Sequence, residues 1–227
     1  MTNITFYGHA CFSVEIDGVR LLFDPFITGN EAALSIDVSS IHPDFIILSH
    51  GHQDHILDAE TIAKQSGAPI ISNFEIVTWY QGKGIDNAIP MNHGGTVDCG
   101  GVKVKMTNAV HTSSFPDGSY AGQPAGFVVT GKDQSFYYSG DTALHYDMKL
   151  IAEAGGVDFA ILCLGDHFTM GVDDAVRAAE FVGTNNVVGM HFDTFPPITI
   201  DHDTAIQAFQ KAGLSLKLPE IGEEFQI

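Results

Sequence analysis

The densest chemistry of the chain lies in Ser49-His50-Gly51-His52-Gln53-Asp54-His55, which sets three imidazoles and a carboxylate almost side by side. Imidazole nitrogens and carboxylate oxygens are the donors that hold divalent transition metals. On a helix His50 and His52 would point about 200° apart, so the segment reads as a strand-to-helix turn. His50 and His52 then lie on one side of it, and Asp54 and His55 open the helix. Such a turn can serve two neighbouring ions, with His50 and His52 giving nitrogens to one and Asp54 and His55 an oxygen and a nitrogen to the other. Each set needs completion from other strand ends, and His111, Asp141 and His191 each follow a strand-like run. His111 is expected to complete the first set and His191 the second. Asp141 is expected to bridge them, its negative charge lying between two cations that would otherwise repel. Such a pair would bring the pKa of a bridging water toward neutrality and polarise a carbonyl or phosphoryl oxygen, so no serine or cysteine nucleophile is required. Two divalent ions are the expected cofactors, zinc or manganese first, with iron and nickel compatible with the same donors. The plainer account, a polar turn capping a helix, does not explain such crowding of ligand types.

Hydrophobic periodicity defines the elements that must hold these groups. Strands are predicted at 4–7, 11–16 and 20–23, with Asp17-Gly18 as a hairpin turn, so an antiparallel meander opens the chain. Phe45-Ile46-Ile47-Leu48-Ser49 is a continuous run, as expected of a strand buried on both faces, and it stops where the histidines begin. A helix at 56–65, a strand at 69–72, a helical stretch at 73–80 and strands at 96–98 and 102–107 complete the first half. The second half repeats the grammar, with strands at 125–130, 135–139, 159–163, 186–190 and 214–218. Helices are predicted at 146–154, 172–182 and 203–211. No low-complexity linker separates the halves. The expected architecture is one α/β domain over residues 1–227, with two mixed sheets packed together, helices outside, and strand-end loops converging on one edge.

The HxHxDH run, the later His111, Asp141 in a Ser-Gly-Asp-Thr turn and the late His191 resemble the metallo-β-lactamase superfamily, over nearly the whole chain. Within it, Tyr7-Gly8-His9-Ala10-Cys11-Phe12, Asp24-Pro25-Phe26-Ile27-Thr28-Gly29-Asn30 and Gly165-Asp166-His167-Phe168-Thr169-Met170-Gly171 are similar to the UPF0173 metal-dependent hydrolases, relatives of ascorbate-6-phosphate lactonase. The resemblance implies a four-layer αββα sandwich, two divalent metals and hydrolysis. It also implies a second role for Asp54, as the catalytic group that orients hydroxide or carries a proton to the leaving group. On the same likeness His9, Asp24, His167 and Thr169 are the expected polar substrate contacts, with Phe26, Phe168 and Phe195 as apolar walls.

Charge narrows the substrate. With 28 acidic against 10 basic residues the formal net charge is −18, and a nucleic-acid track is not expected. Arg20 and Arg177 are the only arginines, a weak basis for clamping a free phosphate, so within the expected range of lactone, ester or phosphodiester a neutral or weakly anionic ester or lactone is preferred. No apolar stretch approaches the ~20 residues that cross a bilayer, and no basic segment followed by a long apolar run opens the sequence, so a cytoplasmic location is expected. The three cysteines are far apart, outside any CxxC pair, and suggest no disulfide scaffold. A small molecule is the expected partner, without nucleic acid or membrane, and self-association into a homo-oligomer is expected on general frequency. Two other activities of the fold fit less well. Iron-dependent oxidoreductases either carry a carboxylate where this chain has His52 or, as in persulfide dioxygenases, leave the second ligand set unused. RNA-processing nucleases need a basic surface.

Overall fold

Apolar side chains alternate between two clusters along the strands, and this alternation lays out the layers. A computed structural model describes residues 2–227. In chain order the strands are β1 (Asn3–Gly8), β2 (Cys11–Ile16), β3 (Val19–Phe23), β4 (Phe45–Ile47), β5 (Ile70–Asn73), β6 (Ala88–Met91), β7 (Thr96–Cys99) and β8 (Val102–Asn108). They continue as β9 (Ala125–Thr130), β10 (Ser135–Tyr138), β11 (Phe159–Cys163), β12 (Asn186–Met190), β13 (Ser215–Lys217) and β14 (Glu224–Gln226). One seven-stranded sheet runs β14-β1-β2-β3-β4-β5-β6, and a second runs β13-β12-β11-β10-β9-β8-β7. Each sheet is mixed, with β1 to β3 antiparallel and β3 to β6 parallel in the first, and β7 to β10 antiparallel and β10 to β13 parallel in the second.

Leu21, Phe23, Ile47 and Ile71 point into the large cluster between the sheets, where they meet Val104, Phe127, Val129 and Phe136. The intervening Leu22, Ile46, Leu48 and Ile70 point the other way, onto Ile62 and Ala63 of one helix and Ile76 and Tyr80 of another. A strand with both faces covered must be apolar at every position, which is why 45–48 is a continuous run. The helices are α1 (Gln53–Ile56), α2 (Ala59–Ser66), α3 (Phe74–Gln81), α4 (Lys149–Glu153), α5 (Val172–Val182) and α6 (His202–Lys211). Ala175, Ala178, Ala179 and Val182 of α5 cover the outside of the second sheet. The result is the expected αββα sandwich. Aromatic rings stitch the two sheets: Phe12 and Phe23, stacked at 4.7 Å within the first, face the second, where Phe23 meets Phe136 at 5.9 Å and Tyr138 at 5.2 Å.

Three details differ from the periodicity. The run at 45–49 leaves the sheet after Ile47, because the Ser49 amide turns away to donate to Asp24 Oδ1 at 2.7 Å. The helix expected at 56–65 is two helices, α1 and α2. Between them the Asp58 carboxylate reaches back to accept from Ile27 N at 2.6 Å, Thr28 N at 3.0 Å and the Thr28 hydroxyl at 2.6 Å. Two strands had no signal in the sequence, β6 and β14, and both are sheet edges. Both are short, β14 is largely polar, and β6 carries Pro90, which a central strand would not tolerate.

Candidate metal centre

Strand direction brings the ligand-type residues together. β8, β10 and β12 all run the same way, and the chain leaving each carries His111, Asp141 and His191 respectively, while β4 delivers Ser49 and His50. His52 is in extended conformation at the N-cap of α1, so His50 and His52 precede the helix and Asp54 and His55 lie on it. Two glycines permit the close approach. A Cβ on Gly51 would overlap Ala121, and one on Gly140, whose φ is +57°, would overlap the Ala125 carbonyl. His9, Asp24 and His191 hold left-handed backbone, at φ 56°, 40° and 56°, a conformation that non-glycine residues keep only where surrounding contacts enforce it. His191 N–H donates to the His9 carbonyl at 2.8 Å, locking those two positions to each other.

The nitrogens of His50, His52 and His111 converge within 4.8 Å of one another, the three-histidine set that the spacing predicted. His50 Nε2 lies 2.9 Å from His52 Nδ1. A second group within the same limit contains Asp54, His55 and His191, joined by His9. Asp141 stands between the groups, its Oδ2 at 2.9 Å from His191 Nε2, 3.3 Å from His55 Nε2 and 3.7 Å from His111 Nε2. The buried His55 Nε2 and Asp141 Oδ1 have no hydrogen-bond partner among the described residues. Unpaired donors and acceptors are costly in an interior, and a cation between them removes that cost, so the residues present fit a divalent metal.

The charge balance agrees. Burial opposes protonation of His55, but Asp141 and Asp24 outweigh it and raise its pKa well above the usual imidazole value. Burial likewise opposes ionisation of Asp141, yet His191 and His55 hold its carboxyl well below the ordinary range. Asp54 behaves the same way through His9 and His55. The buried carboxylates thus demand positive charge, which a proton on His55 supplies and a divalent ion would supply in its place, releasing that proton. Burial, reinforced by His55, lowers His50, and burial lowers His52 and His111, keeping the first set neutral and ready to ligate.

Asp24 is a correction to the expectation that it touches substrate. Its side chain is fully enclosed, and its oxygens accept from Ser49 N at 2.7 Å, Ser49 Oγ at 2.5 Å, Tyr138 Oη at 2.5 Å and His55 Nδ1 at 2.8 Å. It therefore fixes the His55 ring with Nδ1 protonated and Nε2 free to face the centre. Asp24→Asn leaves a buried amide where an acceptor is needed. The variant is expected to lose about 3 kcal/mol in urea unfolding. Metal titration should show roughly 10–100-fold weaker binding at the His55 position, and an unchanged titration would remove Asp24 from this role.

His9 is buried too, with Nε2 at 3.2 Å from Asp54 Oδ2 and Nδ1 at 2.9 Å from Thr194 Oγ1. Burial, with His191 adding and Asp54 opposing, brings its pKa down to about 4, so the neutral ring donates from Nε2 to the carboxylate and accepts from Thr194. His9 thus meets the centre through Asp54. His167 is exposed, its ring against Phe168 at 4.5 Å, and Thr169 is half-buried. Neither joins the ligand groups. Their loop is tied to the Asp141 turn by Met170 N–H donating to the Thr142 carbonyl at 2.9 Å. Ser49, Tyr138 and Thr194 were not singled out in the sequence. Ser49 and Tyr138 lie in apolar runs that read as strand core, and Thr194 stands 185 positions from its partner His9.

Histidines and carboxylates at the strand ends of two stacked mixed sheets define a class, the metal-dependent hydrolases of the β-lactamase superfamily, and the chain is an enzyme of that class. A family profile described as the beta-lactamase superfamily domain matches residues 19–192. The sequence is 50% identical over 226 residues to a UPF0173 metal-dependent hydrolase of Christiangramia forsetii, covering 99% of this chain and 100% of the relative. A relative of the same description from Flavobacterium johnsoniae is 49% identical, again over 99% of this chain and 100% of its own. The structure of Igni18, a metallo hydrolase from Ignicoccus hospitalis, is 32% identical and superposes with a TM-score of 0.90, covering 100% of both chains. The chain belongs to the UPF0173 metal-dependent hydrolases.

Proposed function

We propose that this hydrolase cleaves a small ester-like bond, in a lactone, ester or phosphodiester, at a centre of two divalent ions. His50, His52 and His111 would hold one ion, Asp54, His55 and His191 the other, and Asp141 would be shared. The observation that carries the reading is the position of Asp141 between two converging ligand groups, with one buried oxygen unpartnered. When bound, such ions supply hydroxide from water near neutral pH and polarise the scissile oxygen, with zinc or manganese the first choices and iron or nickel compatible with the donors.

The chain's own residues do the remaining work. Asp54 is the one carboxylate of the centre that reaches solvent, its side chain 30% exposed against 3% for Asp141 and 0% for Asp24. It can therefore accept a proton from the attacking water and return it to the leaving group. His9 holds that carboxylate in place from behind, and Thr194 holds His9. Phe26 and Phe195, each edge-on to His9 at 5.5 and 5.4 Å, limit water on that side.

Metal analysis of protein purified without chelators should find near two ions per chain. A panel of lactones, p-nitrophenyl esters and phosphodiesters should show turnover that chelation abolishes and zinc or manganese restores. About one ion per chain, with oxygen consumed on persulfide substrates, would replace hydrolysis at two ions by iron redox chemistry.

A further inference from the structure

A recess of about 390 Å³ opens beside Asp54, walled by Phe26, Gly29, Gln53, Leu57 and Phe195. Asp54 is its one ionisable wall, and none of the chain's 10 lysines and arginines lines it. An anionic group placed there would give up water with no lysine or arginine on the walls to receive it, whereas an apolar group would meet two phenyl rings and a leucine. The rings are held in place. Phe26 and Phe195 stand 6.3 Å apart and both pack on the buried His9, and Pro196 and Pro197 stiffen the chain after Phe195. Gly29 lies in the turn closed by Asn30 N–H donating to the Ile27 carbonyl at 3.0 Å, and it also keeps this space open. Its φ lies outside the left-handed region, yet a Cβ there would overlap the Phe26 ring and come within 2.7 Å of Leu57 Cδ2.

We propose that this recess receives an uncharged apolar substituent of the substrate, aromatic or branched aliphatic, adjacent to the bond that is cleaved. The inference rests on the hydrolytic reading above and names the kind of substrate that its site selects. A phosphate or carboxylate on this side would find no lysine or arginine on the walls to offset the water it gives up.

Calorimetric binding of three hydroxamates to the zinc- or manganese-loaded protein tests it without relying on turnover. Acetohydroxamate reports the metal centre alone, phenylacetohydroxamate adds an apolar tail, and succinic monohydroxamate adds a carboxylate tail. The phenyl tail is expected to tighten binding by about tenfold or more, and the carboxylate tail to give no gain. Gly29→Val, which fills the recess, and Leu57→Gln, which makes a half-exposed wall polar, should each cut the phenyl gain to within about threefold. A gain equal for both tails, or one that survives both substitutions, would overturn the recess while leaving the metal centre standing. Failure of acetohydroxamate itself to bind would overturn the two-ion reading, and this inference with it.

Discussion

Asp141→Asn is expected to empty both metal positions together. The Asp141 carboxylate reaches both ligand sets, 2.9 Å from His191 on one side and 3.7 Å from His111 on the other, with His55 at 3.3 Å. Asparagine is nearly isosteric, but in the proposed two-ion centre it would remove the negative charge between the cations and present amide hydrogens where a lone pair is needed. The mutual repulsion of the ions is then unscreened, and His55 and His191 lose the anion that they face. Metal content should fall well below two per chain, and hydrolysis by more than about a hundredfold, beyond the usual cost of losing a group that merely orients a ligand. Far-UV circular dichroism and a melting curve check that the fold survives. Loss of one ion with the other held at full occupancy would show that Asp141 belongs to one set and does not bridge.

Asp54→Asn should separate catalysis from ligation. His50, His52 and His111 form their group without Asp54, so the first position is expected to keep its ion while the second weakens. Asparagine cannot carry a proton, and the other carboxylates cannot substitute, being 3% and 0% exposed. With metal supplied at saturating concentration, kcat should fall about 10²–10⁴-fold, the range for removal of a positioned general acid or base. KM should move far less, because the apolar recess that Asp54 borders remains. Full recovery of kcat on metal saturation would reduce Asp54 to a ligand with no part in proton transfer.

The strand and ligand turn at residues 45–55 could be read from sequence because their signals are local, whereas the early end of the strand at Ile47 is set by the distant Asp24. A run of apolar side chains predicts a strand covered on both faces, four ligand-type side chains directly after it predict a metal turn, and the two partitions of that turn follow from the geometry of a helix start. The three-histidine grouping and the αββα layering match what the structure brings together. The edge strands β6 and β14 carry no such signal, since a strand with one neighbour need not be apolar or long, and its pairing is decided by what lies beside it.

Asp24 and His9 show where local pattern ends. Both lie in short motifs of the first thirty residues and read alike, as polar groups near a site. One holds a ligand ring from a fully buried position and the other holds a carboxylate, because Asp24 meets Ser49, His55 and Tyr138 at separations of 25, 31 and 114 residues, and His9 meets Asp54 and Thr194 at 45 and 185. Local pattern carries the clustering of ligand-type side chains at strand ends and the layered scaffold on which they sit. Which polar groups face solvent, which stand behind the ligand-type residues and where an apolar recess opens emerge once distant segments pack. Burial and hydrogen bonding depend on contacts between distant segments, and no local period encodes those.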